Sequence, residues 1–105
     1  MAPLMRERFV RSFDGTELYV PLQAPDGVAR VPISGGPSTT RWFSEGQCDN
    51  PHEMVRSHAG RLFLVCEGDH VGPGKLVELE PATLETLAEL EVGVYPDRLA
   101  IGAAP

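Results

Sequence analysis

Two stretches concentrate reactive side chains. The first, Cys48-Asp49-Asn50-Pro51-His52-Glu53, sets a thiol, two carboxylates, an amide and an imidazole within six residues. The second, Tyr95-Pro96-Asp97-Arg98, adds a further carboxylate. His52, Glu53 and Asp97 are the candidate catalytic residues, since imidazole and carboxylate groups accept protons as general bases. Asp49, Asn50, Glu53 and Asp97 are the candidate metal ligands: carboxylate and amide oxygens suit a hard divalent cation such as calcium or magnesium, and a nearby imidazole extends the choice to zinc. The same residue types also serve as ordinary solvated loop residues, and both readings stand at this point.

Other candidates carry less. Asp69-His70 is a single pair in a Gly/Pro loop, and His58 falls in a turn. Ser34-Gly35-Gly36 is no nucleophile elbow, and Gly72-Pro73-Gly74-Lys75 lacks the spacing of a phosphate-binding loop. Cys48 and Cys66 are too few and too far apart for a zinc framework. In a cytosolic context they are expected as reduced, partly buried thiols, with Cys48 the more reactive and Cys66 a small core residue.

Short strands are expected to carry these residues. Ten prolines and eleven glycines are spread through 105 residues, punctuation that suits strands and turns within one small domain. A formal net charge of -6 argues against nucleic acid, which demands a basic surface. No signal-peptide pattern and no apolar run of membrane-spanning length is visible, and the chain starts at methionine, so a cytoplasmic product with no membrane partner is expected.

Asp14-Gly15 separates a run ending at Ser12 from Leu18-Tyr19-Val20, a hairpin signal in which glycine supplies positive φ. Pro25-Asp26-Gly27 turns into Val28 to Ile33, with Val31 and Ile33 on one face and Arg30 on the other. After Ser34 to Pro37 comes a fourth run, Thr39 to Phe43. The cycle then restarts. Glu53 to Ser57 matches Arg8 to Ser12, Leu62 to Leu64 matches Leu18 to Val20, and Val77 and Leu79 match Val31 and Ile33. The period is about 45 residues, the range of four-stranded propeller blades. Pro81 to Glu91 reads as the last strand, with Leu84, Thr86, Ala88, Leu90 and Val92 on one face. Pro21 and Pro32 fall inside strands of the first unit, so a bulge or a looser first unit is expected there.

Ser12 to Val20, Lys75 to Leu84 and Val92 to Pro96 resemble the start, centre and close of the YVTN-type β-propeller repeat, a relative of WD-type propellers. The resemblance implies an all-β fold of two four-stranded antiparallel blades. Blade one spans about 6–50 and blade two about 51–96, with a closing inner strand at about 97–102. Two blades leave apolar faces uncovered, and such repeats stack with about three or more neighbours. The resemblance therefore implies a homo-oligomeric ring, a homotrimer of six blades ahead of a tetramer of eight. In such a ring the candidate loops would gather near the axis. Two functions follow as expectations: a self-assembling module with a binding or scaffold role, or a hydrolase of lactones, activated esters or phosphotriesters. The hydrolase would hold its site in the central channel, with or without a divalent cation (calcium), and bind a small-molecule ligand there. That resembles the gluconolactonase and paraoxonase type of propeller, none of whose sequence motifs is present.

Overall fold

The computed structural model describes residues 9–12, 14–69 and 71–92. Among the described residues eight strands run in chain order: β1 Val10–Arg11, β2 Glu17–Leu22, β3 Gly27–Pro32, β4 Thr39–Trp42, β5 Pro51–Arg56, β6 Leu62–Cys66, β7 Lys75–Leu79 and β8 Thr86–Glu91. They form two four-stranded antiparallel meanders, β1-β2-β3-β4 and β5-β6-β7-β8, each built like a blade. The expected closing strand at 97–102 and the catalytic candidate Asp97 lie outside the described residues, as does His70.

Local sequence accounts for the hairpins. The Ser12 carbonyl accepts from Gly15 N–H at 3.0 Å, and Gly15 takes the φ of 78° that closes the turn. Asp14 Oδ1 braces it by accepting from Ser12 Oγ, Thr16 N and Thr16 Oγ1. Ser57 repeats the device, its carbonyl accepting from Gly60 N–H.

Residues paired across an antiparallel ladder share a face, so the register sorts side chains into an inner and an outer set. On the first sheet Val10, Tyr19, Val28, Arg30 and Arg41 face inward. On the second, Met54, Leu62, Leu64, Cys66, Val77 and Leu79 do. Tyr19 and Val28 of the first set meet the second set in one core with Cys48 and Leu84, and Val10 and Phe43 pack against it.

Three expectations are corrected. Pro21 and Pro32 cause no bulge, because each pairs in regular register, with Val28 and Glu17. Glu17 exchanges hydrogen bonds with Ser12 on the β1 side, so odd positions of β2, Pro21 included, direct their nitrogens away from β3. Ile33 N–H donates to Thr16 O, so the nitrogen of Pro32 faces the β4 side, past the last β3–β4 pair. Neither proline removes a β2–β3 hydrogen bond.

The irregularities sit instead in the second sheet. His52 is skipped between Pro51↔Cys66 and Glu53↔Val65, and Leu87 is skipped between Leu79↔Thr86 and Glu78↔Ala88. The Leu87 bulge splits the single face expected for the last strand. Thr86 joins Leu79 on the inner side, while Ala88 and Leu90 join Glu78 and Leu76 on the outer side. Pro81 to Glu85 is a turn rather than strand: Leu84 N–H donates to Glu80 O, and the Glu80 carboxylate accepts from Ala82 and Thr83 N–H.

The third correction concerns the cysteines. Cys48 and Cys66 are joined in a disulfide, with Cα atoms 5.2 Å apart, and both are buried. The thiols are neither reduced nor reactive. The bond ties the connector between the sheets to the end of β6. Among the described residues no helix is long and apolar enough to cross a membrane.

Candidate functional site

The candidate loop lies at the end of the molecule where the β4–β5 connector meets the β2–β3 and β6–β7 turns. Asn50 takes a φ of 55°, tolerable for asparagine. Its N–H donates to Asp26 Oδ2 and its Nδ2 to Gly68 O at 2.6 Å, while its carbonyl accepts from Glu67 N–H. Asp49 Oδ1 accepts from Gly46 N–H, and its carbonyl accepts from Gly68 N–H. The side chains of Asp49 and Asn50 therefore build the connector. Gln23 Nε2 reaches across from the first sheet to Pro51 O at 2.7 Å.

His52 is the extra residue of the β5 bulge, a device that re-aims a side chain. Its Nδ1 lies 3.4 Å from Glu67 Oε2, and Glu67 is largely buried. An imidazole oriented by a carboxylate is one half of general-base chemistry. The sequence singles out His52 but not Glu67, which follows Cys66 directly and comes near His52 only because β5 and β6 pair. Glu53 follows on β5, on the outer face with Val65. Among the described residues no group of three or more His, Cys, Asp or Glu side chains could hold a metal ion. Of the expected ligands, Asp49 and Asn50 lie in the connector, Glu53 lies on β5, and Asp97 is outside the described residues.

A second feature was not foreseen. At the opposite end, between the sheets, a cleft of about 340 Å³ is lined by Glu17, Arg30, Tyr19, Arg56, Leu62 and Pro81 among others. Arg30 Nη1 donates to both oxygens of Glu17, at 2.9 and 2.7 Å. Burial pushes the Tyr19 phenol up, so it stays neutral and donates to Pro81 O across the sheets. Arg56 Nε donates to Arg11 O, another bridge between sheets. At the outer strands, Arg41 Nη1 donates to Leu84 O and to Thr86 Oγ1, with its guanidinium 4.7 Å from the Phe43 ring centre. Tyr19, Arg56 and Arg41 thus hold one sheet to the other, while Arg30 and Glu17 pair within the first sheet.

Their counterparts on the outside of the second sheet make the same pattern with charge reversed. Glu17 precedes Leu18 as Arg61 precedes Leu62, and Arg30 precedes Val31 as Glu78 precedes Leu79. Leu18 pairs with Val31 and Leu62 with Leu79, so these are equivalent positions. This register sets Leu79, not Val77, against Val31, two residues from the match read in the sequence. Arg61 Nε and Nη2 donate to the two oxygens of Glu78, both at 2.9 Å. The pair holds Glu78 below the usual carboxylate range and Arg61 above its own. Arg61 also lies 5.3 Å from the Phe63 ring centre, where Tyr19 stands in the first sheet.

Comparison with protein-family models, with curated proteins and with solved structures finds no match to this chain. What it shares with propeller blades is architecture alone: two four-stranded antiparallel sheets packed face to face.

Proposed function

We propose that the chain is a self-assembling β-propeller module with a binding or scaffold role, in which copies close a ring, three chains giving six blades. One observation carries this reading. Met54 and Leu79 on the inner face of the second sheet are 2% and 0% exposed because the first sheet covers them. Their equivalents on the outer face of the first sheet are Phe9, by alternation from Arg11, and Val31. Phe9 is 55% exposed, and beside Val31 Ile33 is 48% exposed. The positions that serve as blade-to-blade contact inside the chain are thus repeated, still apolar, on its outside. Large apolar surfaces of this kind mark interaction sites. Light scattering of the purified chain tests this directly. A mass of three times 11.4 kDa is expected, and a well-folded monomer at micromolar concentration would overturn it.

A second reading is favoured by the His52–Glu67 contact at the bulge: hydrolysis of a lactone, activated ester or phosphotriester, with His52 taking a proton from water. In the ring, copies of Glu53 and Asp97 would approach the same axis, where a divalent cation could be shared. The test is hydrolysis of an activated ester with and without chelator. Loss in both His52→Ala and Glu67→Gln is expected, and unchanged turnover in either would contradict it.

A further inference from the structure

Resting on the ring reading, we infer that the contact between copies is heterologous and that its register is already written inside the chain. The outer face of the second sheet (Val55, Phe63, Leu76, Leu90) docks on the outer face of the first sheet (Phe9, Leu18, Val31, Ile33) of the next copy.

The inference comes from matching each outer face to the inner face it repeats. The first sheet shows inward Val10, Tyr19, Val28 and Arg41. The register makes Val55, Phe63, Leu76 and Leu90 their equivalents, and all four face outward on the second sheet. The second sheet shows inward Met54, Leu62, Leu64 and Leu79, and their equivalents Phe9, Leu18, Val20 and Val31 face outward on the first. Each open face therefore repeats one side of a contact that the molecule already makes. The two open faces are different surfaces, so a two-fold contact would set like against like and leave the other face uncovered. A head-to-tail contact matches each with its own complement.

The exposed large hydrophobics support the choice. Phe9, Ile33 and Trp42 lie on the first sheet's outer face, and Leu90 lies on the second's, at 61% exposure. Trp42 lies over Gly27, where an added Cβ would come within 2.7 Å of the indole. The reversed ion pair gives the contact a polar mark. Inside the chain Arg30–Glu17 lies beside Leu62 at the cleft. Between copies Glu78–Arg61 would lie beside Leu18, with Arg11 in the place of Arg56. Repeat symmetry thus puts one more such cleft at every contact between copies.

The experiment uses two variants of the full chain. One carries Phe9→Glu and Ile33→Glu and blocks only the first face; the other carries Phe63→Glu and Leu90→Glu and blocks only the second. Each alone is expected to be a folded monomer by sedimentation and circular dichroism. An equal mixture is expected to form a heterodimer of twice the 11.4 kDa chain mass and nothing larger. Homodimers of either variant alone would overturn the heterologous contact while leaving self-association intact. A mixture that stays monomeric while wild type is oligomeric would overturn the pairing of these faces. Monomeric wild type would overturn the ring reading itself. Should a double variant fail to fold, Phe9→Cys and Val55→Cys chains replace the pair. An interchain disulfide on mixing, absent from either alone, is expected, and no cross-link with oligomeric wild type overturns the register.

Discussion

Breaking the Cys48–Cys66 bond should cost a large part of this chain's stability. The bond closes a loop of 18 residues, and the loop-closure entropy for that length is about 3 kcal/mol at 25 °C. A small domain has roughly 5–15 kcal/mol in total, so the folded-to-unfolded ratio should fall about 200-fold, at about 1.4 kcal/mol per factor of ten. Local structure adds to this: the loop contains the His52 bulge, the Asn50 clamp on Gly68 and the Gln23 contact to Pro51. The assay is urea unfolding of wild type, oxidised and reduced, beside the Cys48→Ala/Cys66→Ala double variant. Reduced thiols fill almost the same volume, so the oxidised-minus-reduced difference isolates the cross-link from any cavity. Reductant should lower the wild-type midpoint and leave the double variant unmoved. Equal midpoints with and without reductant, or two free thiols titrating in the native protein, would show that no such cross-link stabilises the fold.

Three more outcomes follow. Leu84→Ala removes a fully buried side chain from the core, at a residue held at a φ of 67°, and should cost about 2–5 kcal/mol by urea unfolding; a loss under about 1 kcal/mol would mean that the turn does not anchor the core. Gly27→Ala sets a methyl 2.7 Å from the Trp42 ring and 2.8 Å from Arg41 O, so a loss of about 1–3 kcal/mol and a shifted tryptophan emission are expected; unchanged emission and midpoint would count against that packing. Asp14 is held down to about 2 by its bonds from Thr16 and Ser12, and Glu78 is lowered by Arg61. Depressed carboxyls stabilise above their ordinary values near 4 and lose that contribution as pH falls through the folded values. Between pH 5 and 2 the wild-type urea midpoint should therefore fall more steeply than that of Asp14→Asn, and parallel curves would contradict it.

Most strands were legible in the sequence, because alternation and turn chemistry act locally. Asp14-Gly15 gave its hairpin, and Arg30 lies opposite in face to Val31 and Ile33 as the pattern requires. What was not legible depends on pairing. A bulge inserts one residue without changing composition, so His52 gave no signal; Leu87 broke the acidic face of its run, but only the pairing shows the bulge that moves Ala88 and Leu90 to the other face. The longer turn between β6 and β7 hid the true equivalence of Val31 with Leu79. The disulfide partners are 18 residues apart, and only the β5–β6 hairpin with its connector brings them together. Of the candidate site, the loop's position was legible but not its work: Asp49 and Asn50 hold backbone, and Glu67 beside His52 came from the fold.

Whether the apolar faces repeated on the outside of the chain close a finite ring is decided by sedimentation velocity across a dilution series. One boundary at three chain masses is expected, constant in position over the micromolar range and giving way to monomer only on extreme dilution. A monomer throughout, or a mass that keeps growing with concentration as in an open filament, would rule out the closed ring.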